Sequence, residues 1–195
     1  MNKKRHRIIF EIAFTAILIA LIVALSAPPY IGFGLAIPFL GVQITILHIP
    51  VIIGAFLLGR KYAWLLGLVF GLGSLWAAFQ TAVLVFQNPL ISVLPRVLFG
   101  VAAFELFNVF KKVIKNTTWA VVVSAVLATM VHTVLVLLAI MAFGTLFYDN
   151  LETYINAFVK PVITFNALVE IVLAGIITLP IYKALINVMN QPEKE

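Results

Sequence analysis

Long apolar stretches, separated by short polar or Gly- and Pro-containing segments, follow one another along nearly the whole chain. A helix needs about 20 mainly apolar residues to cross a bilayer, and six stretches approach or exceed that length. The predicted spans are roughly 8–27, 43–59, 62–85, 89–110, 119–147 and 161–182. The pattern therefore predicts an all-α membrane protein, in which a bundle of six transmembrane helices forms a single domain over residues 1–195.

Prolines mark where several of these helices end or bend. Pro28 and Pro29 end the first span, because proline lacks the N–H that continues a helix. Pro50 predicts a kink in the second span, and Pro95 lies in the first turns of the fourth, where a missing hydrogen bond costs least. Residues 30–42 contain several glycines and prolines and are predicted to form an outer loop.

The amino-acid composition also indicates that most of the chain is surrounded by lipid. The chain is 64% hydrophobic and 10% charged, whereas about 25% of the residues in a soluble domain are charged. It has no cysteine, which excludes a disulfide framework, a thiolate nucleophile and a Cys-based metal site. It has no G-x-x-x-x-G-K-[ST] phosphate loop, so it contains no recognisable ATPase motif of its own.

Basic residues concentrate in alternate segments between the spans. With the N-terminus inside, the inner segments contain Lys3, Lys4, Arg5, Arg7, Arg60, Lys61, Lys111, Lys112, Lys115, Lys183 and Lys194. The outer segments contain only Lys160, and the loop around Asp149 and Glu152 is acidic. This distribution follows the positive-inside rule and predicts that both termini are cytoplasmic. It also accounts for the net charge of +6 without a nucleic-acid partner, and predicts that Glu11 and Glu105 meet basic residues at the cytoplasmic end.

An ionisable side chain inside a span costs free energy and is therefore a functional candidate. Arg96 ends the stretch that begins at Asn88 and lies in the outer half of the fourth predicted span. A guanidinium can hold a carboxylate through two parallel hydrogen bonds, so Arg96 is the candidate anchor for an anionic ligand. The structural alternatives are an internal ion pair with Glu170 and snorkelling of the guanidinium to the interface.

Four further polar residues fall inside predicted spans. Asn166 and Glu170 stand at positions i and i+4 of the sixth span, share one helix face, and either line a site or bond to another helix. His48 is a candidate ligand contact, since it belongs to the same outer half as Arg96. For both His48 and His132 the pattern favours a neutral histidine hydrogen-bonded between helices, and no i, i+4 ligand pair supports a metal site.

Polar and aromatic residues also gather at the outer end of the third span. Gln80, Gln87 and Asn88 lie there, with Trp76 and Phe79 nearby. They either form the rim of an outward-facing binding site, with Trp76, Gln80 and Asn88 contacting substrate, or belong to an interfacial aromatic belt with solvated amides.

Small residues recur every four positions along the first span, at Ala16, Ala20 and Ala24. Such a row forms a groove in which another helix can approach closely. The partner helix belongs either to this chain or to another subunit.

Three stretches, taken together, point to a known family. The first is the alanine row at 16–24. The second comprises the segments 44–55 (ITILHIPVIIGA), 57–61 (LLGRK) and 66–71 (LGLVFG), and the third is 88–96 (NPLISVLPR). In this order they resemble the substrate-binding S components of energy-coupling factor (ECF) vitamin transporters. The third stretch is most similar to the pantothenate-type S components.

The resemblance implies a non-enzymatic transport subunit, a multi-pass protein of the bacterial cell membrane that holds one vitamin near the outer face. It implies a transmembrane coupling subunit, which docks on Ala16, Ala20 and Ala24, and two cytoplasmic ATPases as partners. ATP and Mg would be used by those ATPases, and this chain would bind no cofactor. ATP hydrolysis would topple the S component in the membrane and release the vitamin inside, with residues 30–41 as a lid.

Pantothenate has a carboxylate, an amide and two hydroxyls, which Arg96, Asn166, Glu170 and His48 would suit. The alternative substrate is a hydroxymethylpyrimidine, which would stack on Trp76 or Phe79 and leave Arg96 without a partner. Two alternatives of another class are an intramembrane enzyme built on the histidines and a ligand-free membrane scaffold.

Overall fold

The structure, a computed structural model, describes residues 3–27, 35–37, 42–81, 84–144, 156 and 167–189. These residues form seven α-helices, two short strands and one 3-10 turn. In chain order they are α1 (Lys3–Ser26), β1 (Leu35–Ile37), β2 (Val42–Ile44), α2 (His48–Leu58), α3 (Arg60–Thr81), the 3-10 turn (Leu84–Gln87), α4 (Pro89–Ser92), α5 (Leu94–Val113), α6 (Thr117–Phe143) and α7 (Ala167–Met189).

Five helical segments are long and apolar enough to cross a membrane. They are Arg7–Ser26, Arg60–Thr81, Pro89–Val113, Thr117–Phe143 and Ala167–Asn187. The third of these joins α4 to α5. The chain is thus a helical, multi-pass membrane protein.

The second predicted span, 43–59, is shorter in the structure than the apolar pattern indicates. Its helix is α2, which has 11 residues and rises about 16 Å, roughly half the thickness of a hydrocarbon core. The residues before it, Val42–Ile44, are extended and pair antiparallel with Leu35–Ile37. The outer loop predicted over 30–42 therefore contains a small β-hairpin, in the part that the structure describes.

The helix ends follow local capping and proline chemistry. The side chain of Asn116 caps α6 by accepting hydrogen bonds from the backbone N–H groups of Thr118 and Trp119, at 2.9 and 3.4 Å. Asn88 caps α4 in the same way, at 2.9 Å from the nitrogen of Leu90. The fourth predicted span is interrupted at Val93, between α4 and α5. Of the sixth predicted span, 161–166 lie outside the described residues.

Glycine allows α3 and α5 to pack backbone against backbone. A Cβ atom added at Gly67 would lie 2.5 Å from the carbonyl oxygen of Arg96, and one at Gly71 would lie 2.7 Å from the Cα of Val93. From the other side, a Cβ at Gly100 would collide with the carbonyl oxygen of Ala63. This close packing fixes the start of α5 against the middle of α3.

A large apolar core lies between α1, α2, α3, α5, α6 and α7 in the described part of the chain. Within it the rings of Phe56 and Phe107 stack, with centroids 4.2 Å apart. Helix α1 turns Leu18 and Ile22 inward. It is held at its first turns by Glu11, whose carboxylate accepts hydrogen bonds from Arg7, at 3.0 Å, and from the Tyr62 hydroxyl, at 3.3 Å.

Ion pairs mark one end of the bundle. Glu11 pairs with Arg7 in α1, and Glu105 of α5 pairs with Arg60 of α3 at 3.3 Å. The predicted pairing of both glutamates with basic residues is confirmed. The Tyr62 hydroxyl joins α3 to Glu11 of α1, and Arg60 joins α3 to Glu105 of α5, so the N-terminal parts of α1 and α3 lie beside the C-terminal half of α5.

Candidate functional site

The buried guanidinium of Arg96 is placed by the proline that precedes it. In a regular helix the carbonyl of Ile91 would accept a hydrogen bond from the backbone nitrogen four residues later, but that residue is Pro95, which has no N–H. The Nη1 atom of Arg96 donates to this oxygen instead, at 2.6 Å. The break at Val93 and the turn that follows it thus direct the side chain of Arg96 back along α4.

The surroundings of Arg96 leave part of its hydrogen-bonding capacity unused. The guanidinium lies over the rings of Phe70 and Phe86, 5.8 and 5.4 Å from their centroids. Its Nε atom is buried and has no hydrogen-bond partner in the described part of the chain. Glu170 is near enough to interact with it electrostatically, but the two side chains do not form an ion pair within 4.0 Å. The cation is therefore buried mainly among aromatic rings, with donors available.

Glu170 connects α7 to the β-hairpin. Its Oε1 atom accepts a hydrogen bond from the backbone nitrogen of Thr45, the residue after β2, at 2.8 Å. Glu170 is 7% exposed, so a carboxylate and a guanidinium lie buried near each other without direct contact. The exit of the hairpin is thereby fixed beside the residue predicted to contact ligand.

Two imidazoles complete the buried polar cluster. The rings of His48 in α2 and His132 in α6 stack with centroids 6.2 Å apart and an angle of 16° between their planes. His132 also contacts the rings of Phe70 and Phe99, at 5.4 and 4.8 Å between centroids. Since Phe70 contacts both His132 and Arg96, the histidine pair and the guanidinium share one aromatic wall. We call His48, Arg96, His132 and Glu170 the polar cluster.

The structure brings three of the predicted site residues together and separates others from them. Arg96, Glu170 and His48 belong to the polar cluster, while Asn166 lies outside the described residues. The side-chain oxygen of Asn88 is occupied as the cap of α4. Asn88 thus starts the short helix that leads to Arg96, and its predicted contact with substrate stays a prediction.

Trp76 and Gln80 lie on the exposed face of α3. Trp76 is 60% exposed, as is Phe79. With its amide oriented to satisfy both neighbours, Gln80 donates to the carbonyl of Ala27 at 3.2 Å and accepts from the Trp76 indole at 2.5 Å. Gln80 thus connects α3 to the residue after α1, and Trp76 bonds to Gln80 within α3. The predicted contact of both side chains with substrate stays a prediction.

The alanine row of α1 faces away from the rest of the bundle. Ala16, Ala20 and Ala24 are all exposed, whereas Leu18 and Ile22 on the opposite face are buried. Of the two interpretations of this row, packing against the chain's own described helices is therefore wrong.

A separate groove runs between α5 and α6. It has a volume of about 200 Å³. Its lining is Leu94, Pro95, Leu98, Leu135, Leu138, Ala139, Ala142 and Phe143. It has no charged group to hold an anion. The described residues also contain no group of three or more histidine or acidic side chains that could bind a metal together.

The polar cluster combines a guanidinium, a carboxyl group and two imidazoles, which is unusual for a membrane interior. The guanidinium can donate two parallel hydrogen bonds to a carboxylate, and each neutral imidazole offers one donor and one acceptor. The hydrogen bond between helices predicted for His132 is absent among the described residues, since neither ring nitrogen has a partner there. The free-energy cost of an ionisable side chain inside a span, which identified Arg96 as a candidate, would also have identified His132.

Comparison with known proteins identifies the family. Residues 10–182 match the family described as "ECF transporter, substrate-specific component". The chain belongs to this family. The resemblance found in the three sequence stretches is thus confirmed.

Two relatives of this S component are named pantothenate transporters, which is the type that the stretch 88–96 most resembles. The pantothenic acid transporter PanT of Lactococcus lactis is 28% identical, over 92% of this chain and 95% of its own length. The pantothenate transporter PanT of Leuconostoc mesenteroides is 28% identical, over 97% of this chain and 96% of its own. The family and these relatives are transporters.

Proposed function

We propose that this S component binds pantothenate with high affinity and is the substrate-binding subunit of an ECF-type importer in the bacterial cell membrane. The observation that carries the proposal is the buried, incompletely paired guanidinium of Arg96 beside Glu170 and the two imidazoles. A buried cation costs free energy unless something pairs with it. The carboxylate of pantothenate would supply that partner, and both named relatives are pantothenate transporters.

The remaining groups of pantothenate match the remaining groups of the site. Its amide and hydroxyls both donate and accept, as Glu170, His48 and Asn166 require. The β-hairpin, whose exit bonds to Glu170, would serve as the lid. The hydroxymethylpyrimidine alternative gains no support from the geometry, since Trp76 and Phe79, its expected stacking partners, are exposed.

The topology that we propose is one six-span domain with both termini in the cytoplasm. The hydrogen bond from the Tyr62 hydroxyl to Glu11 and the ion pair Arg60–Glu105 support it, because they bring the basic N-terminal parts of α1 and α3 to one end of the bundle. Helix α2 with its preceding hairpin would take the place of the second span.

The energy for transport would come from other subunits. We propose that a transmembrane coupling subunit docks on the alanine row, and that two cytoplasmic ATPases bind ATP and Mg. This chain would bind no cofactor itself and would release its vitamin when ATP hydrolysis topples it. The exposure of Ala16, Ala20 and Ala24 supports the docking proposal, since small residues on an exposed face allow a helix of another subunit to approach closely.

Binding of labelled pantothenate to the purified chain in detergent tests the substrate. We expect saturable binding that unlabelled pantothenate displaces and hydroxymethylpyrimidine does not. Displacement by the pyrimidine would favour the alternative substrate, and absence of pantothenate binding by a folded chain would overturn the proposal.

A substitution on the alanine row tests the docking surface. Ala20→Phe should leave pantothenate binding unchanged but prevent co-purification with the coupling subunit, because the larger ring holds the partner helix away. Ala142→Phe is the matched control, since Ala142 is an exposed alanine of α6 outside the row. Normal assembly of the Ala20→Phe variant would contradict this role.

A further inference from the structure

The described part of the chain contains seven buried side-chain nitrogen or oxygen atoms without a hydrogen-bond partner, and five lie in the polar cluster. They are Nδ1 and Nε2 of His48, Nδ1 and Nε2 of His132, and Nε of Arg96. A buried polar atom without a partner is destabilising, and most such atoms in proteins are paired. Their concentration in one place indicates a site that a ligand completes.

His132 is surrounded by apolar rings and by the other members of the cluster. Phe70 and Phe99 contact its ring, and His48 stacks on it. The ring of His132 and the guanidinium of Arg96 both contact the ring of Phe70. A second cation beside the guanidinium would be repelled, which favours the neutral form of His132. A neutral imidazole has one nitrogen that donates and one that accepts.

Two such rings next to each other match a hydroxyl group better than a carboxylate. A hydroxyl donates through one hydrogen, accepts through two lone pairs, and can rotate its hydrogen to suit its neighbours. A carboxylate only accepts, and the guanidinium already offers it the stronger, charge-assisted bonds. The cluster therefore divides into a cationic part at Arg96 and a neutral part at the histidines.

We propose that His132, together with His48, forms a neutral subsite that hydrogen-bonds the hydroxyl groups of the ligand and so determines specificity for a hydroxylated acid. This rests on the proposed function, because the carboxylate of the same ligand is assigned to Arg96. His132 is thus a specificity residue that the ligand contacts, and the aromatic rings around it keep its position fixed.

The test compares the binding of two ligands to the wild type and to variants of His132. Pantothenate is measured against an N-acyl-β-alanine that keeps the carboxylate and amide but has no hydroxyls. We expect His132→Phe and His132→Leu to weaken pantothenate binding about 10-fold or more and the binding of the hydroxyl-free compound by less than about twofold. His132→Gln, which keeps a donor and an acceptor, should recover part of the loss. Ser124→Ala removes an unpaired buried hydroxyl of the same helix outside the cluster and should change neither affinity.

The thermal stability of the ligand-free protein separates this inference from the proposed function. His132→Phe or His132→Leu removes two unpaired polar atoms, so the apparent Tm without ligand should stay the same or rise. A fall in Tm in both variants would show that the imidazole is a structural hydrogen-bonding group and would overturn the subsite. Equal loss of affinity for the two ligands would overturn it as well. If the wild type binds no pantothenate, the proposed substrate fails, and the ligand-free Tm still decides whether His132 is structural.

Discussion

Arg96→Met is expected to abolish preferential binding of the carboxylate while leaving the ligand-free protein folded. A hydrogen bond to a charged group is worth about 1.5–3 kcal/mol, so losing two would weaken pantothenate binding by roughly 10²–10⁴-fold. The variant also loses the bond from Nη1 to the Ile91 carbonyl. It also removes a buried cation that forms no ion pair within 4.0 Å in the described structure. The free energy gained by removing this cation offsets the free energy lost with the hydrogen bond.

Ligand charge makes this prediction specific. The neutral alcohol analogue of pantothenate, with CH₂OH in place of the carboxylate, should bind the Arg96→Met variant about as well as it binds the wild type. Arg96→Lys should give an intermediate result, because an ammonium keeps the charge but not the planar pair of donors. Titration calorimetry with both ligands would measure these differences.

The same substitution at an exposed arginine provides the control. Arg60 pairs with Glu105 at 3.3 Å on the surface, and such pairs contribute at most about 1 kcal/mol, so Arg60→Met should affect neither binding nor folding much. If Arg96→Met instead lost roughly 3–5 kcal/mol of stability, a buried ion pair between Arg96 and Glu170 would be the better explanation. Unchanged pantothenate binding would remove Arg96 from the site.

Hydropathy predicted the long helices well, because crossing a bilayer imposes a length and an apolar composition that the sequence displays directly. The second span shows the limit of that argument. The apolar run over 43–59 does not distinguish a helix from a short strand followed by a helix. The pairing of β2 with β1 takes up Val42–Ile44 and leaves α2 with 11 residues.

Only part of the polar cluster could be predicted from the sequence, and the physical reason is related. Charge in a span identified Arg96 and Glu170, but the face that each helix turns inward could not be read from apolar residues, since lipid-facing and buried positions are equally apolar. Small residues would have been the better guide in α3. Gly67, Gly71 and Ser74 are all buried, and Trp76 does not belong to the face that they define.

Gly67→Ala is expected to reduce both stability and ligand binding, since the added methyl group meets backbone that cannot move aside locally. Its Cβ would lie 2.5 Å from the carbonyl oxygen of Arg96 and 3.1 Å from the Cα of Val97. Forcing extra volume into such a contact costs about 1–3 kcal/mol, or several degrees of apparent Tm at roughly 2–4 °C per kcal/mol. The shift would also displace the first turn of α5, from which Arg96 extends, and so weaken pantothenate binding.

Gly175→Ala is the matched control, because the same substitution in α7 meets only ordinary contacts. Its Cβ would lie 3.5 and 3.8 Å from methyl groups of Val126 and Val122. Alanine is favoured over glycine inside a helix by up to about 1 kcal/mol, so this variant should be as stable as the wild type or more so, with unchanged binding. Thermal unfolding in detergent, followed by pantothenate titration, compares the two variants. Equal stability of both would show that α3 and α5 can separate without cost, and that their glycine contact does not hold Arg96 in position.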